Sequence, residues 1–307
     1  MMRRALVTTA ALAAVILLGS AASAQTLRVM VTNNDGIGEP GIDALVNELL
    51  ANSNLIVNVI APATNQSGTT DTFTSQITVA PGQTATAVAG TAVAGTPADS
   101  VMYGLLVELA ATPPDLVISG INSGQNLGRF VSEDLSGTVG AALTAGRRGV
   151  PAFAVSAGIG AASAADFAPA AKYIANLVEL FRTKRSFPKK MISKTGQETT
   201  LVLNVNMPFC NGTGTVRGAK VVATKQSQHL FGRNVIDYTE SVPGTFDIVL
   251  SADNVFAPQD CTSALDKPVD DVEAFLNGFM AVSPMNPSVN PDSKIKKFRF
   301  LEKIAVQ

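Results

Sequence analysis

The chain has no tryptophan, three tyrosines, one histidine (His229) and two cysteines (Cys210 and Cys261), and only 15% of its 307 residues are charged. Each scarcity removes a class of function. One imidazole and two thiols cannot build the nitrogen and sulfur sites typical of zinc proteins. No Lys/Arg cluster alternates with aromatics, which removes the basic footprint of a polymeric nucleic-acid binder. Lys184-Arg185 and Lys189-Lys190 read as solvated loop. The first strand-like run is not followed by G-x-G-x-x-G, so the pyrophosphate cradle of a dinucleotide-dependent oxidoreductase is missing. No apolar stretch spans a bilayer comfortably, and residues 5–18 have the length of a signal-peptide core.

That core follows Arg3 and Arg4 and precedes Ala22-Ser23-Ala24, an A-x-A cleavage site. Residues 1–24 read as a signal peptide and Gln25 as the mature N-terminus, so the expected location is periplasmic or secreted. No cysteine follows the site, which argues against a lipid anchor there. Removing 24 of 307 residues leaves 283, enough for one large domain with a substantial core. The loss of Arg3 and Arg4 leaves 21 basic against 24 acidic residues, a formal charge of −3. In an oxidising compartment Cys210 and Cys261 most simply form one disulfide.

Strand and helix patterns alternate through the first two thirds. Residues 27–31 and 55–61 read as buried strands, and Ile42, Leu45, Val46, Leu49 and Leu50 lie between them at helical spacing. Residues 69–96 suggest hairpin or irregular β structure, and 101–109 a helix stopped by Pro113-Pro114. Residues 115–119 and 152–156 read as strands around a small-residue helix at 136–147. Phe167, Ala171, Ile174, Leu177, Val178 and Phe181 mark a longer amphipathic helix. This rhythm predicts an α/β, Rossmann-like fold, with a mainly parallel sheet covered by helices on both faces. Beyond residue 184 the pattern shifts to strands at 201–205, 220–224 and 246–250 between polar loops. The expectation is an α/β core over about 25–184 and a β-rich C-terminal extension over about 185–307.

Three of the strands end in polar, glycine-containing loops. These are Thr32-Asn33-Asn34-Asp35-Gly36, then the loop carrying Asn65 and Ser67, then the loop carrying Asn122 and Asn126. In open α/β sheets the carboxyl edge of the strands is where ligands bind. The donors are carboxylate, amide and hydroxyl oxygens, a set that suits Mg²⁺, Mn²⁺ or Ca²⁺. Ser136-Gly137-Thr138 opens a helix, where free N–H groups attract phosphate.

The motifs resemble those of the SurE family of metal-dependent nucleoside monophosphate phosphatases (5′/3′-nucleotidases). The family's Asn-Asp-Asp-Gly and Ala-Pro-Gly-Ile appear as Asn33-Asn34-Asp35-Gly36 and Glu39-Pro40-Gly41-Ile42. Asn65-Gln66-Ser67-Gly68, Gly95-Thr96-Pro97-Ala98-Asp99, Ser119-Gly120-Ile121-Asn122-Ser123-Gly124-Gln125-Asn126, Ser136-Gly137-Thr138-Val139 and Gly149-Val150-Pro151 follow in order. Asn204-Val205-Asn206-Met207-Pro208 matches more loosely. The resemblance implies a divalent metal, Mg²⁺ or Mn²⁺, on Asn34, Asp35, Ser67 and Asn122, with Asp35 and Asn34 at the catalytic centre. It implies phosphate contacts from Asn65, Asn126, Ser136, Gly137 and Thr138. The substrate class is a nucleoside monophosphate or similar small phosphomonoester, and the assembly a homodimer or homotetramer.

One departure concerns the chemistry. Asn34 stands where the family has its first carboxylate, so one negative charge is lost and position 34 cannot accept a proton. Two readings follow: an active exported phosphatase, or a catalytically weak or inactive relative that binds nucleotide or phosphate. Glu133 and Asp134, just before Ser136, are in position to supply a substitute carboxylate, although a charged pair of this kind reads first as solvated loop. Histidine titrates near neutrality, so a general-acid role for His229 is chemically open, but its place after a predicted strand in the loosely matching region favours a structural role.

Overall fold

The computed structural model describes residues 26–192, 198–210, 214–224, 236–250, 259–287 and 295–305. The leader read at residues 1–24 and His229 lie outside the described residues, as do the side chains of Glu133 and Asp134.

β1 (Leu27–Thr32) sends Val29 and Val31 to one face and Met30 to the other, and all three are fully buried. A strand so placed needs cover on both sides, which is how parallel sheets are built. α1 (Pro40–Leu50) follows, with Pro40 at its first position and Ile42, Leu45, Val46 and Leu49 inward. The chain continues through β2 (Leu55–Pro62) and the antiparallel pair β3 (Thr78–Gln83) and β4 (Ala89–Ala94). α2 (Pro97–Tyr103) begins four residues earlier than the apolar pattern suggests. A capping box explains the shift: Thr96 accepts from Asp99 N–H while the Asp99 carboxylate returns to Thr96 N–H.

β5 (Leu116–Ser123) runs four residues past its expected end, through the polar motif itself. Gly120 makes this possible. Its φ of +144° suits only glycine, and a Cβ there would lie 2.4 Å from Val155 O. The ladder to the next strand is irregular between Ser119 and Asn122. α3 (Gly137–Arg147), β6 (Ala152–Ala157) and α4 (Ala164–Thr183) complete the expected series.

The change of rhythm at residue 184 does not end the sheet. After the small pair β7 (Lys190–Ile192) and β8 (Glu198–Thr200), β9 (Val202–Met207) is buried along its whole length beside β6. β10 (Ala219–Val221) and, after a separate β11 (Ile236–Val242) and β12 (Thr245–Leu250) hairpin, α5 (Asp271–Leu276) and β13 (Met280–Met285) follow. The nine-stranded sheet has the order β10-β13-β9-β6-β5-β1-β2-β4-β3. It is mainly parallel, with β13–β9 and β4–β3 antiparallel. α1 packs on α4 over one face and α2 on α3 over the other. Among the described residues no helix is long and apolar enough to cross a membrane.

Candidate functional site

From β1 the chain moves outward to β2 and β4, then returns to the opposite side of β1 as β5. The β1/β5 boundary is therefore a topological switch point, where the loops leave a crevice at the strands' carboxyl ends. The three polar loops read from the sequence belong to β1, β2 and β5, which are adjacent and parallel, so they meet there.

Asn33 sets the first loop. Its Oδ1 accepts from Gly36 N–H at 3.2 Å and its Nδ2 donates to Gly36 O at 2.7 Å, both buried. Gly36 takes a φ of +125°, which the turn needs and a side chain would resist. Asn34 is held at both ends of its amide: Thr138 Oγ1 donates to Oδ1 at 2.7 Å, and Nδ2 donates to Ser67 Oγ at 3.2 Å. Its carbonyl accepts from Gln66 N–H at 2.7 Å, tying the first loop to the second. Asp35 accepts from Ser123 N–H at 3.2 Å, tying the first loop to the third. Burial pushes the Asp35 carboxyl up from 3.8 to about 6, opposed by the Ser123 hydrogen bond and reinforced by the nearby Glu39 charge.

In the second loop Asn65 Oδ1 accepts from Ser67 N–H at 2.9 Å, a local turn that orients the serine. In the third, the Asn122 Nδ2 donates to Gly124 O, which fixes the amide; no donor reaches Asn122 Oδ1 among the described residues. Ser136 caps α3 by accepting from Val139 N–H at 3.1 Å, which leaves its O–H free to donate. Gly137 packs against the first two loops, since a Cβ there would lie 3.2 Å from both Asn34 Cβ and Gln66 O. Thus Asn34, Ser67, Gly137 and Thr138 are joined by bonds or packing, Asn65 joins them through Ser67, and Asp35 is tied through Ser123 to the loop that carries Asn122.

Asn126 is placed differently from its expected phosphate contact. Its Nδ2 donates to Ser156 Oγ at 2.8 Å, and its backbone is gripped by Asn206 and Asn204. Asn206 Oδ1 accepts from Asn126 N–H at 2.7 Å, and Asn204 Nδ2 donates to Asn126 O at 2.7 Å. This buried ladder anchors the third loop to β6 and β9. Its signal in the sequence was two asparagines at i and i+2 of an apolar strand, which share a face.

The crevice opens into a cavity of about 330 Å³ lined by Asp35, Glu39, Asn65, Ser67 and Ser123, with Ala161, Ala162 and Phe167 on the far wall. Among the described residues its only charged lining residues are the two acids. A larger groove of about 540 Å³ around Pro169, Phe209 and Val216 is mostly apolar. Glu39 was not among the residues singled out from the sequence, because it falls where the family pattern has alanine.

A mainly parallel α/β sheet with an oxygen-only, carboxylate-bearing crevice at its switch point defines a protein built to hold a hard cation or a polar anion there. Comparison with known proteins gives the family. The model of the family "Survival protein SurE" matches residues 29–232, and the chain belongs to the SurE family. Among its relatives, the 5'-nucleotidase SurE of Halobacterium salinarum is 36% identical over 263 residues, covering 84% of this chain and 90% of that one. The 5'-nucleotidase SurE of Aquifex aeolicus is 30% identical over 275 residues, covering 89% and 97%. The crystal structure of the SurE protein from Aquifex aeolicus aligns with a TM-score of 0.64 at 28% identity, over 86% of this chain and 94% of that chain.

Proposed function

We propose that this protein is an exported, divalent-metal-dependent phosphatase acting on nucleoside monophosphates or similar small phosphomonoesters. One observation carries the reading: at the switch point Asn34 bonds Ser67, Asp35 and Ser67 line one cavity, and Asp35 bonds the loop that carries Asn122, in a chain whose relatives are named 5'-nucleotidase SurE. The donor set fits a hard cation. Among the described residues, no Lys or Arg lines the cavity of the half-buried Asp35 carboxylate, and the Asn122 Oδ1 accepts no hydrogen bond. A bound Mg²⁺ or Mn²⁺ supplies Lewis-acid charge neutralisation on a phosphoryl oxygen and a more acidic water.

The chain's own residues do the rest. Asp35 holds negative charge at the centre, Ser67 and Asn122 contribute neutral oxygens, and Thr138 fixes the Asn34 amide. The first N–H groups of α3, at Gly137 and Thr138, with the Ser136 O–H and Asn65, form the phosphate-facing wall. The leader at residues 1–24 and the pairing of Cys210 with Cys261, Cα atoms 5.6 Å apart, support export and one disulfide.

The lost carboxylate at position 34 favours a second reading, a nucleotide- or phosphate-binding protein with little turnover. Phosphate release by residues 25–307 separates the two, measured on a panel of nucleoside monophosphates and an aryl phosphate with Mg²⁺, Mn²⁺ or chelator. The phosphatase reading expects release that chelator abolishes. A folded protein silent on every substrate, in which Asn34→Asp creates activity, overturns it in favour of binding.

A further inference from the structure

Glu39 occupies the N-cap of α1, yet its side chain makes no capping hydrogen bond. Pro40 holds it in an extended conformation, with φ −81° and ψ 150°. No ion pair or hydrogen bond engages its carboxylate among the described residues. It lines the same 330 Å³ cavity as Asp35, Asn65 and Ser67, in which the two acids are the only charges among the described residues. Two carboxylates sharing a small cavity repel one another unless a cation sits between them or one is protonated. The neutral oxygen donors that line the same cavity, Asn65 and Ser67, point to the first solution, and the Asp35 carboxylate also accepts from Ser123 N–H in the loop that carries Asn122. The family pattern pairs two aspartates with an alanine where this chain pairs Asn34-Asp35 with Glu39.

We infer that Glu39 supplies the second negative charge of the cation site, replacing from the start of α1 the charge that Asn34 lacks. Formal charge at the crevice is then the same as in the two-aspartate arrangement, but it is displaced five residues along the chain. This rests on the metal-site reading above and deepens it. The consequence is coupling: position 39 matters because position 34 is neutral.

The test is Mn²⁺ binding to residues 25–307, followed by the electron paramagnetic resonance signal of free Mn²⁺, with no substrate present. Four proteins are compared: the natural chain, Glu39→Gln, Asn34→Asp and the double variant. Glu39→Gln is expected to weaken Mn²⁺ binding about tenfold in the natural background and by less than about threefold beside Asn34→Asp. Melting of the metal-free proteins separates this from a helix-dipole role for Glu39, which would lower stability without changing affinity. Equal Mn²⁺ affinity in the natural chain and Glu39→Gln overturns the inference and leaves the metal site standing. Absence of Mn²⁺ binding in all four proteins, Asn34→Asp included, overturns the metal-site reading itself.

Discussion

At the scale of single residues, Asp35 sets function against stability. Its carboxyl is raised to about 6 chiefly because burial disfavours the charged form. Between pH 3.8 and about 6 the folded metal-free protein therefore binds more protons than the unfolded chain, so stability falls as pH rises through that window. Above it the buried charge costs roughly 2 kcal/mol, allowing for the residual exposure of the group. Asp35→Asn is accordingly expected to raise the melting temperature of metal-free protein at pH 7.5 and to leave it unchanged near pH 3.5. The same variant is expected to lose metal-dependent phosphate release. Thermal melts at the two pH values, with chelator present, check the first expectation; a lower melting temperature at pH 7.5 would mean the charge is already compensated by the fold. Most of the residues at the centre were legible because short polar side chains and glycines punctuate apolar strands. Glu39 was not, since an exposed acid before a proline carries no signal of its own until the sheet brings Asp35 beside it.

At the scale of elements, close backbone approach positions the crevice. Gly41, in the first turn of α1, faces β5 so tightly that a Cβ would lie 2.0 Å from Ile121 O. Alanine there gains up to about 1 kcal/mol of helix propensity, but it must displace backbone rather than a pliable side chain. The clash wins, and Gly41→Ala is expected to destabilise by at least about 2 kcal/mol. Because Ile121 precedes Asn122, Mn²⁺ affinity should fall with it. Gly38 has nothing within 4 Å of its virtual Cβ, so Gly38→Ala should change stability by less than about 0.5 kcal/mol. Urea unfolding of the pair reads the contrast, and equal midpoints would remove the packing argument. A second prediction concerns the amide ladder. Asn206→Leu leaves the buried Asn126 N–H without its acceptor and should cost about 1–3 kcal/mol. Helices and strands with regular apolar spacing could be read directly from the chain. The end of β5 could not, because Ser119-Gly120-Ile121-Asn122 has the composition of a loop and becomes strand only through its neighbours β1 and β6.

At the scale of the molecule, the C-terminal third closes the sheet that the first two thirds begin. β9 lies between β6 and β13, although long polar segments separate it from β13 in sequence. That separation hid the connection: short strands between polar loops show no periodicity that names their partners. It also makes the β9–β13 pairing a costly long-range contact in the unfolded chain. Cys210 follows β9 and Cys261 precedes α5 and β13, a separation of 51 residues. Gln259 joins the same ends, its Oε1 accepting from Phe209 N–H at 2.7 Å, while Phe209 packs against Gly160 beside the Ala161–Ala162 wall of the cavity. A covalent link across such a loop stabilises by about 4 kcal/mol in the chain-entropy treatment. For a domain of this size that corresponds to a melting-temperature shift on the order of 8 °C. The variant Cys210→Ser/Cys261→Ser should melt lower by that amount. Reductant should lower the natural protein to the same value and leave the variant where it is. Two thiols titrating in the unreduced, denatured natural protein would show that the link is not formed. A reductant-sensitive melt with unchanged phosphate release at 25 °C would show that the disulfide secures the sheet without shaping the crevice.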